Sequence, residues 1–130
     1  MVCLETTFLI DILRGKSGVI EIQKELDNIE SSFTVAAPTI MELWTGADLG
    51  KSSEKEKTRI NELISSYTIL HLDEKSAKEA GEIEADLIRR GEKIETPDIM
   101  IAAIAKVNGE KLVTRDGHYA KIPGLKLLKY

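Results

Sequence analysis

The residues of this chain that could do chemistry are carboxylates. Glu5 follows the short apolar run Val2-Cys3-Leu4, Glu42 stands three residues after Thr39, Asp98 follows Thr96-Pro97, and Asp116 follows Val113-Thr114-Arg115. If such acids meet, their repulsion costs free energy unless cations or protons offset it. Hard oxygen ligands of this kind select Mg²⁺ or Mn²⁺. Those ions make water nucleophilic at neutral pH and stabilise the oxygens of a phosphodiester during in-line displacement. The chemistry needs neither histidine nor cysteine, which suits a chain with only His71, His118 and Cys3.

Each acid also has a structural use. Glu42 can partner Thr39 in a capping box. Asp98 can complement a helix N-terminus, and Asp116 can cap a turn through Gly117. Glu5 is harder to explain, because a short apolar first strand seldom ends in an acid. Taken together, the placement of the four favours a site. Asp11 reads as the solvated face of the first helix, and His118 and Tyr119 read as surface or packing groups. Trp44 reads as core or interface, and Cys3 as a small buried hydrophobe. Thr114 is a strand-end residue or a hydroxyl that orients a carboxylate. No Gly-x-x-x-x-Gly-Lys loop exists to cradle a nucleotide.

The elements that must position these acids alternate. Val2–Leu4 is a short strand, and a helix from Thr6 stops at Arg14-Gly15. A second helix covers Gly18 to Ile29, with Val19, Ile22, Leu26 and Ile29 on one face. A strand over 33–37 ends at Pro38, and Thr39-x-x-Glu42 caps a third helix through Leu49. Ser53-x-x-Glu56 caps a fourth. Tyr67 to Leu70 is a strand, and Asp73 caps a long helix using Ala77, Ala80, Ile83 and Leu87. Thr96-Pro97 supplies a cap and an N1 proline for an apolar helix, Ile99 to Val107, residues 111–113 form a fourth strand and residues 125–128 a fifth. The 91–95 connection reads as a flexible loop beside a site. This alternation implies an α/β fold with a mostly parallel sheet covered on both faces. Ligands in such folds bind outside the carboxyl ends of the strands.

A chain of 130 residues is expected to be one domain, 1–130. Apolar residues at 42% and charged residues at 31% exclude a disordered or membranous class. The lone Cys3 excludes an intrachain disulfide and a cysteine zinc site, and no signal peptide or membrane span is visible, so a cytoplasmic location is expected. The net charge of -4 excludes a strongly basic nucleic-acid coat. Removing the four candidate acids from the 22 Asp and Glu leaves 18, equal to the Lys and Arg. Any four acids give that sum, but it directs the expectation that the bare protein binds a nucleic acid weakly, with an affinity that depends on divalent metal and on local basic patches.

Four segments in order resemble a PIN-domain nuclease of the VapC toxin type. They are Val2-Cys-Leu-Glu5-Thr6-Thr-Phe-Leu-Ile-Asp-Ile-Leu-Arg-Gly15, Thr39-Ile-Met-Glu42-Leu-Trp-Thr-Gly46, Pro97-Asp98-Ile-Met-Ile-Ala-Ala-Ile-Ala105, and Val113-Thr114-Arg115-Asp116 with Tyr119 and Ile-Pro-Gly124. The resemblance implies an α/β/α three-layer sandwich and Mg²⁺- or Mn²⁺-dependent cleavage of RNA. It also implies homodimers and inhibition by a small antitoxin. Glu42, Asp98 and Asp116 match the family's metal-binding acids, and Thr114 matches a residue that supports the first acid. Thr6 follows that acid as a second supporting hydroxyl. Position 5 departs from the family's Asp. Glu5 keeps the charge and moves the carboxylate out by roughly 1.5 Å.

The first functional reading is a metal-dependent endoribonuclease acting as a toxin. Glu5, Glu42, Asp98 and Asp116 hold metal, Thr114 orients Glu5, and Arg14 or Arg115 touches RNA phosphates. The second keeps the fold without the cleavage, as an RNA- or protein-binding module with Glu5 as the mark of decay. A third class, the phosphoacceptor receiver domain, wants paired acids after the first strand and a late Lys-Pro. Here Thr6 follows Glu5 and no Lys-Pro occurs.

Overall fold

The structure, a computed structural model, describes residues 1–29 and 32–130; the side chain of Ile29 lies outside the described residues. Its sheet contains β1 (Val2–Leu4), β2 (Phe33–Ala36), β3 (Thr68–Leu70), β4 (Lys111–Thr114) and β5 (Leu127–Lys129). The spatial order is β3-β2-β1-β4-β5, and every neighbouring pair is parallel. The helices are α1 (Thr6–Leu13), α2 (Ser17–Ile29), α3 (Ala37–Leu49), α4 (Ser53–Ile64), α5 (Glu74–Arg89) and α6 (Thr96–Val107). A 3₁₀ turn covers Gly117–Lys121. Strand ends differ from the expected ones by one or two residues.

Successive strand residues face opposite sides of a sheet, and here that alternation builds two cores. Val2, Leu4, Val35 and Val113 pack with Phe8, Leu9, Leu43 and Ile60 on one face. Cys3, Ala36 and Leu112 pack with Ile83, Leu87 and the α6 residues Ile101 and Ile104 on the other. The result is the expected α/β/α sandwich. Burial pushes the Cys3 thiol up to about 12, so it stays a neutral packing group. Among the described residues no helix is long and apolar enough to cross a membrane.

The helix starts correct several expectations. Pro38 does not stand before α3 but in its first turn, where its missing N–H has no intrahelical bond to lose. The helix therefore starts at Ala37, and Thr39 lies inside it, fully buried, so the Thr39–Glu42 capping box does not form. Pro97 acts alike in α6, whose N-cap is Glu95 rather than Thr96. In α4 the N-cap is Ser52, without a side-chain bond, so the Ser53–Glu56 box is also absent. The Asp73 cap does form: its carboxylate accepts from Ser76 N–H at 2.8 Å, and Ser76 Oγ accepts from Asp73 N–H at 2.8 Å. That bond turns Ser76 inward, and Ala77, expected in the core, is exposed. In the 91–95 connection Ile94 is buried against the α5–α6 side of the core.

Candidate active site

Strand β1 sits where the chain order reverses, with β2 on one side and β4 on the other. The crevice above its carboxyl end is the usual ligand position in such sheets. Glu5 occupies it as the N-cap of α1 and is 2 % exposed. Its Oε1 accepts from Thr7 N–H at 3.2 Å, from the Thr7 hydroxyl at 2.6 Å and from the Thr114 hydroxyl at 2.5 Å. Thr114 Oγ1 in turn accepts from Asp116 N–H at 2.9 Å. One threonine at the end of β4 thus links the first acid to the backbone of the last.

Glu5 Oε2 faces the other way. The Tyr119 hydroxyl lies 3.5 Å from it and donates to Asp98 Oδ1 at 3.2 Å. Glu42 projects from α3, where the Thr6 hydroxyl donates to its Oε1 at 2.7 Å and lies 3.2 Å from the Thr39 hydroxyl. Asp116 caps the 3₁₀ turn by accepting from His118 N–H at 2.9 Å, and the His118 imidazole Nδ1 lies 2.8 Å from the same oxygen. The structural use expected of Asp116 is therefore real, and that of Glu42 is not.

The electrostatics tie the four acids together. Burial raises the Glu5 carboxyl above its ordinary range despite its threonine donors, and the Asp98 charge adds to the rise. Burial also raises Asp98, with a further increment from Glu42, a lowering by the Tyr119 donor and a smaller increment from Asp116. Burial and the carboxylates of Glu5 and Asp98 push the Tyr119 phenol far up, so it remains a donor. Among the described residues no Lys or Arg pairs with any of the four acids.

This donor set is all oxygen and carries uncompensated negative charge, which suits a hard divalent cation. Among the described residues no three His, Cys, Asp or Glu side chains stand close enough to hold an ion as they lie. The Tyr119 hydroxyl lies between Glu5 Oε2 and Asp98 Oδ1.

Two expectations outside the acids are corrected. Asp11 is not on the solvated face of α1 but is 1 % exposed. Its carboxylate accepts from Arg115 Nε at 2.7 Å and Nη2 at 3.3 Å, and from the Tyr130 hydroxyl at 2.8 Å. Burial alone would raise Asp11, but Arg115, Tyr130 and Lys16 outweigh it and hold the carboxyl down to about 2. Arg115 is therefore held against Asp11, with its side chain 43% exposed. Arg14 is exposed on a groove of about 460 Å³ that Glu42, Arg59, Leu13 and Ile60 also line. A larger groove of about 870 Å³ around Met41, Trp44 and Leu49 contains none of the acids.

Sequence reasoning missed Thr7, Thr39 and Tyr119. Thr7 carried a readable signal, since a hydroxyl two residues after a helix-capping acid commonly bonds back to it. Tyr119 stood in the fourth resembling segment, but only the 3₁₀ turn brings its hydroxyl to Glu5 and Asp98.

A parallel α/β/α sandwich with a buried acid at the carboxyl end of β1 and a half-buried one after β4 defines an acidic-site class in which carboxylates, not a nucleophilic side chain, occupy the crevice. The PIN domain family model matches residues 2–125, and the chain belongs to that family. It is 30% identical over 113 residues to ribonuclease VapC2 of Haemophilus influenzae, covering 87% of this chain and 84% of that protein. It is 29% identical over 125 residues to the tRNA(fMet)-specific endonuclease VapC of Salmonella typhimurium, covering 95% of this chain and 93% of that one. The solved structure of DNA-bound VapBC from Salmonella typhimurium superposes with a TM-score of 0.88 at 27% identity, over 99% of this chain and 98% of that chain.

Proposed function

We propose that this chain is a single PIN-like domain, 1–130, acting as a Mg²⁺- or Mn²⁺-dependent endoribonuclease, the toxin of a VapBC-type toxin–antitoxin pair. Its relatives' names support the nuclease and the antitoxin partner. We further propose a homodimer, which the resemblance implies, and a cytoplasmic place of action. The observation that supports the reading is the charge balance of the crevice: acids from β1, α3, α6 and the β4 turn meet there, Glu5 and Asp98 are both raised by burial and neighbouring carboxylates, and no Lys or Arg pairs with the four among the described residues.

Glu5, Glu42, Asp98 and Asp116 would hold the ion. A divalent cation bound there would activate water and offset charge on the phosphodiester oxygens. The chain's own part is orientation. Thr7 and Thr114 fix Glu5 by occupying Oε1, and Thr6 fixes Glu42. Tyr119 stays protonated between Glu5 and Asp98. Arg14 lines the groove beside Glu42 and would meet an RNA phosphate; Arg115 is bonded to Asp11. Bare protein binds RNA weakly, because an uncompensated acidic crevice repels the phosphate backbone.

The test is RNA cleavage by purified protein freed of antitoxin. Cleavage is expected in Mg²⁺ or Mn²⁺ and not in EDTA. Glu42→Gln and Asp98→Asn should each lose about 100-fold or more, at least the upper range seen for outer-shell partners. Undiminished cleavage in EDTA or in both variants overturns the proposal.

A further inference from the structure

We propose that Tyr119 is a positioning residue of the acidic site, its hydroxyl setting the relation of Glu5 Oε2 to Asp98 Oδ1 and thereby the affinity for a divalent cation. This rests on the metal-dependent reading above and adds to it a residue outside the set of acids. The ring is fully buried in the apolar cluster that includes Ile99, Ala102 and Ile122. A phenylalanine would fill that volume equally well, so packing does not explain the oxygen. The hydroxyl has one proton and two carboxylate neighbours, at 3.2 Å and 3.5 Å.

The rest of the site leaves these oxygens to Tyr119. Glu5 Oε1 already accepts three hydrogen bonds, so Oε2 is the oxygen left to face the crevice. The turn that carries Tyr119 is capped at its start by Asp116, and Ile122 N–H closes it on Tyr119 O at 3.2 Å. The phenol is therefore fixed to one acid through the backbone and to two others through its hydroxyl. It holds the carboxylates near one another while no cation does so, which lowers the reorganisation needed when one arrives.

The experiment titrates the intact protein, freed of antitoxin, with Mn²⁺ by calorimetry, comparing wild type with Tyr119→Phe. The expected result is about tenfold weaker Mn²⁺ binding in the variant. Equal affinity overturns the positioning role while leaving the metal-dependent reading standing. A wild type that takes up no Mn²⁺ overturns both. If Tyr119→Phe does not fold, the ¹³Cζ resonance of Tyr119 in the wild type reads the same bond during Mg²⁺ titration. It should move as the carboxylates engage the ion; a resonance that stays in place while Mg²⁺ binds overturns the proposal. A packing role alone moves neither the affinity nor the resonance.

Discussion

Arg115 and Asp11 meet in a two-pronged ion pair, with Nε 2.7 Å from Oδ2 and Nη2 3.3 Å from Oδ1, although Asp11 is 1 % exposed. The pair ties α1 to the turn between Thr114 and Asp116, and Tyr130 adds a third donor near the end of the chain. Removing a donor from a buried carboxylate is costly, because the remaining charge is undersatisfied. Asp11→Asn should cost about 1–3 kcal/mol. Arg115→Met should destabilise more, since it leaves the carboxylate buried with only Lys16 and Tyr130. Urea unfolding of both variants checks the order; the reverse order would show that the pair does not govern the turn.

Asp11 also contributes to the acid dependence of stability. Its carboxyl is held at about 2 in the fold, against an ordinary 3.8. A lowered carboxyl contributes stability above its unfolded value and loses it as pH falls through the folded one. The wild type should therefore lose this contribution between about pH 4 and 2. Asp11→Asn should show a shallower decline over the same window in thermal melts.

Glu5 and Asp98 have the opposite sign. Both are raised, chiefly by burial, so their contribution is fully present below the unfolded values and is lost as pH rises through the folded ones. Metal-free protein should thus gain from these two groups on mild acidification from neutral pH. Mg²⁺ or Mn²⁺ should raise Tm at pH 7 and do so less at pH 5, where protons compete. A Tm increment independent of pH would show that the ion binds elsewhere.

Thr114 joins two acids at once, donating to Glu5 at 2.5 Å and accepting from Asp116 N–H at 2.9 Å. Thr114→Val keeps the shape and removes both bonds, and should lower RNA cleavage about tenfold. Thr114→Ser restores the hydroxyl and should recover most of the loss. Equal activity in all three proteins would leave Thr114 a strand residue only.

The glutamate at position 5 is built into its surroundings. Its longer side chain lets Oε1 reach Thr114 across the sheet while Oε2 faces Tyr119. Glu5→Asp should shorten that reach by roughly 1.5 Å and lower cleavage. Activity gained from none on making Glu5→Asp would instead favour the non-cleaving RNA- or protein-binding module.

The alternation of apolar runs and helical stripes was legible in the residues, as was the place of each acid after its strand or within its helix. Prolines 38 and 97 were legible as punctuation but misread by a residue or two, because a proline at a helix start and one just before it look alike in sequence. Thr39 shows the consequence: a capping pattern on paper is a buried hydroxyl beside Thr6 in the fold.

The sequence by itself determined the parallel α/β class and where Glu5, Glu42, Asp98 and Asp116 fall along its strands and helices, because strand period, helix stripe and chain order belong to contiguous residues. Tertiary structure alone decided the partners. Asp11 is buried because Arg115 and Tyr130 reach it from 104 and 119 positions away. Tyr119 stands against Asp98 and Glu5 across 21 and 114 positions. Such contacts depend on how the sheet order β3-β2-β1-β4-β5 folds distant segments over one crevice, and no local periodicity encodes that.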